Sequence, residues 1–161
     1  VLHGVGVAVC GGWRGHALLG GMGCGLYADL ICLSEESIDA SIFMKYGFTP
    51  GMGATLIVRE KLGPALANEM LFTASAYHGG TLRDRGVPVP VVAREKVIDT
   101  ARSLARELAD KPRLSLTLLK QEMTLPIVRA LPATVEAATR MHPLSFEHPE
   151  VQTRHENRLG R

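Results

Sequence analysis

The hydrophobic and polar positions divide the chain into a strand-rich first third and a helical remainder. Residues 5–10 form a short β-branched, apolar run and predict a buried strand, which the glycines around Trp13 end. Residues 17–27 are apolar and glycine-rich and predict a helix; residues 29–34 predict a second buried strand, closed by the polar turn Glu35-Glu36-Ser37. Residues 41–46 fit either a short strand or a loop edge, and 47–53 read as loop from their glycines and proline. Short helices follow at 54–61 and 64–72, the second with Pro64 at its first position. Residues 81–85 form one turn, and 87–92, punctuated by Pro88 and Pro90, predict an extended edge segment. The clearest helix is 95–109: Val97, Ile98, Ala101, Leu104, Ala105 and Leu108 fall on one stripe at helical period, with Glu95 in the first turn. Two more helices are expected at 114–123 and 133–141, separated by Pro126 and Pro132. The charged tail 147–161 is expected to dock on a partner subunit or fray. Strands first and helices after is an α/β or α+β pattern, and by itself names no function.

Composition narrows the classes. The 161 residues are 46% hydrophobic and 21% charged, a globular balance that argues against disorder. A net charge of +2 with interleaved signs and only 5% aromatic residues disfavours nucleic acid. Cys10, Cys24 and Cys32 have no metal-site or disulfide spacing and are expected to be reduced and buried. The histidines lack ligand spacing too, so no metal is expected. The longest apolar stretch, 17–33, is interrupted by Asp29 and filled with glycine, which disfavours a membrane span. The opening residues lack the basic flank and cleavage site of a signal peptide, and a cytoplasmic location is expected. The chain starts on Val1 and runs almost at once into a strand, which suggests a piece of a longer protein.

The segment Gly15-His16-Ala17-Leu18-Leu19-Gly20-Gly21-Met22-Gly23-Cys24-Gly25 carries the first chemical signal. Each interior glycine costs a helix about 1 kcal/mol relative to alanine. Either close packing of helix on strand offsets that cost, or the backbone must approach a ligand. A strand, a glycine turn and a helix start expose free amides that can bind negative charge developing on oxygen.

This segment resembles the one that supplies an oxyanion-hole amide in the crotonase, or enoyl-CoA hydratase/isomerase, superfamily. Lys61 to Thr73 (KLGPALANEMLFT), Gly86-Val87-Pro88 and the helix at 95–109 resemble the same family in the same order. The resemblance implies an α/β, ClpP/crotonase-like spiral fold with C-terminal helices, truncated at its N-terminus. Residues 1–94 would be the C-terminal part of the core and 95–161 a helical trimerisation region. The oxyanion amide falls on Gly20, or on Gly21 one residue later; the family's second such amide comes from an earlier segment. Hydratases of the family use two glutamates, at positions held here by Gly23 and Phe43, with Met44 beside the latter. Neither position carries a carboxylate, which argues against water addition.

Leu33 to Thr55, above all the run FMKYGFTPGMGAT, and Ala138 to Val151 are similar to a narrower group: the second hydratase-like enzymes of polyketide β-branching cassettes. These decarboxylate a 3-methylglutaconyl thioester to 3-methylcrotonyl on an acyl carrier protein. The resemblance implies His142 as proton donor to the dienolate, Gly20 as oxyanion donor, and Gly21, Phe43 and Met44 lining the substrate. Histidine suits the role because its ordinary pKa lies near neutrality; the alternative for His142 is a helix-end residue favoured by the helix dipole. His16 is expected to be structural, and His148 and His155 to lie at the surface. Lys45 and Tyr46 lie in the wrong motif for the carboxylate-holding lysine and tyrosine of the group. No cofactor is implied beyond the phosphopantetheine that tethers the substrate; the implied partners are the acyl carrier protein and two further copies in a homotrimer. An isomerase or hydratase-like activity on a CoA ester, or a crotonase piece without activity, stands as the alternative.

Overall fold

The computed structural model describes residues 6–158. Parallel pairing organises its strands into two small sheets. In the first, β1 (Cys10–Trp13) pairs with β3 (Leu30–Ser34), which pairs with β6 (Val91–Val92), all parallel, with Cys10 opposite Leu30 and Leu33 opposite Val91. In the second, β2 (Ala17–Leu18) runs parallel to β4 (Ile38–Ala40), and β4 antiparallel to β5 (Ala76–His78). The chain passes from one sheet to the other between β1 and β2, returns through α1 (Gly20–Leu26) to β3, and crosses again to β4.

Helices α2 (Ala54–Leu62), α3 (Pro64–Thr73) and α4 (Gly79–Asp84) close over this frame. Their apolar faces meet those of α1 and β3: Met22, Leu26, Leu33, Ile57, Val58, Met70 and Leu82 are almost wholly buried. A buried aliphatic side chain of this kind contributes ~1.5–3 kcal/mol of transfer free energy, so this cluster is the main source of stability. Helix α5 (Val97–Ala109) lies across β1 and β3, burying Val97 and half-burying Ile98, Ala101, Leu104 and Leu108, while Ala105 faces outward. The long α6 (Arg113–Phe146) and α7 (Pro149–Arg158) complete the chain.

Several elements depart from the expectation. The first strand starts at Cys10 rather than residue 5 and includes Gly11 and Gly12. A Cβ at Gly12 would sit 3.2 Å from Ala101 Cβ and from Val97 Cγ1, so glycine lets α5 lie directly on the strand. Residues 1–5 lie outside the described set. The expected helix at 17–27 divides into β2 and the shorter α1, because Leu19 leaves the right-handed region and its amide is taken by the Ala40 carbonyl at 2.9 Å. Of the two readings of residues 41–46, the loop edge holds: 44–46 form a 3-10 turn, and the strand lies earlier, at β4.

The two helices expected around Pro126 and Pro132 are one helix, with Pro143 inside it as well. Interior proline costs about 3 kcal/mol in a helix. Tertiary anchoring along α6 offsets it: Lys120 Nζ reaches Asp29 Oδ2 at 2.8 Å and Val7 O at 2.7 Å, Ile127 and Leu131 pack on the core, and Ala138 is buried. The charged tail forms α7, which docks on this same chain by setting buried Val151 against Gly47. Of the cysteines, only Cys32 is buried; Cys10 is half-buried and Cys24, on the outer face of α1, is exposed.

Candidate active site

The turn from β2 into α1 is held in a strained conformation. Leu19 has φ 51° and ψ −121°, a left-handed backbone that side-chain-bearing residues rarely adopt, and such strain persists only where surrounding structure imposes it. Here the Ala40 carbonyl takes the Leu19 amide, and the Leu19 carbonyl accepts from Gly23 at 3.1 Å. The next amides, of Gly20 and Gly21, donate no hydrogen bond among those described, as befits the first residues of a helix. Gly21 is exposed, and a Cβ there would meet nothing within 4 Å. At Gly20 a Cβ would lie 2.9 Å from Met52 Sδ, so the thioether covers this residue.

Met52 lies on the loop before α2, where it too has a left-handed φ, 57°. Its carbonyl accepts a hydrogen bond from Tyr27 Oη at 3.2 Å. Tyr27 is the C-cap residue of α1, and burial, then the nearby Cys24, pushes its phenol pKa up, which keeps the donating proton in place. Gly53, with φ 71°, caps α2 at its N-terminus; a Cβ there would collide with Tyr27 Oη.

On the other side of Met52 stands Gly51, and against Gly51 lies His142. A Cβ at residue 51 would be 2.8 Å from His142 Cε1 and 3.2 Å from Nε2. His142 occupies the last turns of α6, and its Nε2 is buried without a hydrogen-bond partner. Buried ring nitrogens are normally satisfied, so an open one calls for an explanation. Its ring meets Phe146 edge-on at 5.7 Å; Phe146 stacks on Phe48 at 4.6 Å, and Phe48 meets Phe43 edge-on at 6.2 Å and stacks with Tyr46 at 5.9 Å. The structure thus joins Gly20, Met52, Gly51 and His142 in one run of contacts, with Phe43 reached through the aromatic cluster. Met44 is 39% exposed on the 3-10 turn, and Lys45 beside it is exposed.

Gly23 is buried and Phe43 half-buried, and neither supplies a proton-transfer group. His16 is exposed, with Nδ1 accepting from the Ile38 amide at 3.0 Å, a structural contact between β2 and β4. His148 is exposed, and the side chain of His155 lies outside the described residues. Among the described residues no three His, Cys, Asp or Glu side chains group as metal ligands, and no helix is long and apolar enough to cross a membrane.

Sequence reasoning missed Gly51, Met52 and Tyr27. The first two lie in the run that carries the narrower resemblance but took no role from it, and a tyrosine ending an apolar helix gives no signal of its own. It also missed Asp39, on β4. This carboxyl is 1% exposed, accepts from Ser37 Oγ at 2.8 Å and leaves Oδ1 unpartnered. Burial raises its pKa to about 6, against the lowering effects of Ser37 and His16.

The profile of the enoyl-CoA hydratase/isomerase family matches residues 4–158. The chain belongs to that family. It is 48% identical over 148 residues to the bacillaene synthase decarboxylase PksI of Bacillus subtilis (strain 168), an alignment covering 92% of this chain and 59% of that protein. Among solved structures it superimposes, with TM-score 0.89 and 47% identity, on a member of a dehydratase/decarboxylase enzyme couple involved in polyketide β-branching, covering 93% of this chain and 62% of the other. The ECH2 decarboxylase domain of CurF from Lyngbya majuscula matches with TM-score 0.86 and 43% identity, over 90% of this chain and 60% of the other. The fold is therefore that of the crotonases, and the chain spans about three-fifths of the length of these relatives.

Proposed function

We propose that the protein decarboxylates 3-methylglutaconyl carried on an acyl carrier protein to the 3-methylcrotonyl thioester, in polyketide β-branching. The observation that carries this reading is the open Nε2 of His142, set against the loop whose Met52 covers Gly20. Decarboxylation breaks the bond between the carboxylate and its neighbouring carbon; CO2 leaves, and the electron pair delocalises into a dienolate with charge on the thioester oxygen. The Gly20 amide donates to that oxygen, and such a preorganised donor is worth ~3–4 kcal/mol of barrier. His142 then delivers a proton to carbon, giving the neutral product. The aromatic cluster of Phe43, Phe48 and Phe146 supplies an apolar flank, and fixed apolar surroundings favour loss of charge as neutral CO2. Gly21 and Met44 border the substrate.

Greater identity to a decarboxylase, 48%, than to dehydratases and hydratases of the family, at 33% and 26%, agrees with the missing carboxylates at Gly23 and Phe43. In this reading the second oxyanion amide and a carboxylate-holding lysine come from the part of the family fold that this chain does not span. The protein works as a cytoplasmic homotrimer, needs no cofactor beyond the carrier's phosphopantetheine, and docks the acyl carrier protein.

The test is mass spectrometry of carrier-bound methylglutaconyl substrate incubated with a protein carrying the whole fold. Loss of CO2 is expected, and His142→Ala should lower turnover ~10²–10⁴-fold with binding largely intact, since a general acid acts mainly in the transition state. Wild-type turnover in that variant would refute the assignment of His142. Hydration or isomerisation of a CoA ester without CO2 release would replace the decarboxylase reading.

A further inference from the structure

Three features of the loop before α2 have no purpose in packing alone. Met52 holds a left-handed φ of 57° although it is not glycine, and its side chain is 54% exposed, so no core burial offsets the strain. Gly53 holds φ 71° directly against Tyr27 Oη. Gly51 lies against the His142 ring at a separation that no side chain would fit. Two groups meet this loop elsewhere: Leu131 Cδ1 beside Gly53, an apolar contact, and the Tyr27 phenol, which is bonded to the Met52 carbonyl. Tyr27 itself ends the same helix whose first residue, Gly20, lies under Met52 Sδ.

We propose that Tyr27 is a positioning residue: through the Met52 carbonyl it fixes the 51–53 loop, and the loop sets the His142 imidazole relative to the Gly20 amide. The proposal rests on the decarboxylase reading for its catalytic consequence, but not for its structural one. The mechanics are short-range. Tyr27 is 6% exposed and anchored in the core beside Met22 and Leu26, so its hydroxyl is a fixed point. Without the hydroxyl, the left-handed loop keeps its strain and loses a restraint, and it relaxes. Relaxation moves Gly51 away from His142 and Met52 away from Gly20 together, because the three loop residues are consecutive. Small misplacements of reacting groups are costly, with ~10²-fold attached to an error of about 1 Å.

The test uses Tyr27→Phe, which keeps the buried ring, in a protein carrying the whole fold. Imidazole resonances are read by NMR, and kcat and KM with carrier-bound methylglutaconyl substrate. The His142 resonances should shift while those of His16 and His148 stay in place, and kcat should fall about tenfold or more with KM little changed. A double-mutant cycle with Gly51→Ala, which displaces the imidazole directly, should be strongly non-additive, because both changes act on the same spacing. Unmoved His142 resonances, or additive effects of the two substitutions, would overturn the proposal. If the wild-type protein releases no CO2, the decarboxylase reading fails, and the resonances alone still decide whether Tyr27 positions His142.

Discussion

Gly51 leaves no space for a side chain, and this makes it the most direct handle on His142. A methyl group 2.8 Å from Cε1 must push the ring or the loop aside. Gly51→Ala is therefore expected to lower decarboxylation by ~10-fold or more while leaving the fold intact, checked by turnover beside circular dichroism. Asp39 gives a second prediction, in stability. Its pKa stands at about 6 in the folded protein against an ordinary value of 3.8. The folded state thus binds its proton more tightly than the unfolded chain, so this group favours folding fully below pH ~4 and loses that contribution as pH rises through about 6. Asp39→Asn, which removes the buried charge and can donate to Ser37 Oγ, should raise stability above pH 7 by about 1–3 kcal/mol and change it little near pH 4. Urea denaturation of both proteins at the two pH values reads this, and equal effects at both would contradict it. Neither residue was legible as a site residue in the sequence. Gly20, His142 and Phe43 took roles from the family motifs they stand in, whereas Gly51 and Met52, in the same run as Phe43, matter through a backbone conformation and a contact with a helix some ninety positions away. Asp39 sits in a short polar-looking segment whose burial is decided by β2 and β5 on either side.

At the scale of elements, α6 shows how tertiary contacts overrule local propensity. Lys120, with 6% of its side chain exposed, donates to Asp29 Oδ2, and that same oxygen also accepts from the Val9 amide at 2.7 Å. Lys61 adds bonds to the Ala28 and Asp29 carbonyls, at 2.8 and 3.4 Å. Removing one partner of such a pair strands a charge in a poorly solvated place, at ~3–5 kcal/mol. Lys120→Ala is expected to destabilise the protein by that order in thermal or chemical denaturation, and Asp29→Asn in the same chain should restore part of it. An additive double variant would argue against the pair. The same physics explains what the sequence could reveal of the fold. Elements with a strong internal pattern, such as β3, α2, α3 and α5, were legible to within one or two residues. Elements made by their surroundings were not. Gly12 is a poor strand former placed in β1 by the close approach of α5, Gly11 by that of Ala28, and β5 pairs three residues that carry no periodic signal. The prolines of α6 read as breaks because the anchors that hold the helix, Asp29 and α2, lie far earlier in the chain.

Across the whole molecule, the apolar surface is uneven. Leu114, Leu118, Leu119 and Met123 are between 55% and 70% exposed near the start of α6, the first two on one side of the helix and the last two about 140° further round. A groove of about 240 Å³ opens beside Leu119 and Met123, lined also by Leu116 and Ile127 and edged by Lys61, Lys120 and Asp29. Exposed apolar surface of this extent on a folded protein marks a contact surface. The homotrimer proposed above accounts for it if α6 meets neighbouring subunits, while α5 and α7 stay on their own chain, as Val97 and Val151 require. A stable interface removes ~1,200–2,000 Å² from water, and charge at its centre is strongly disfavoured. In a protein carrying the whole fold, Leu118→Asp with Met123→Asp should therefore convert a trimer to monomers in sedimentation velocity without unfolding, since the two residues are 56% and 69% exposed. The proposed decarboxylation, measured on the monomer, then decides whether assembly serves stability or the site. Retention of the trimer mass in the double variant would mean that α6 is covered by another part of the same chain, and would move the subunit contact to a different face.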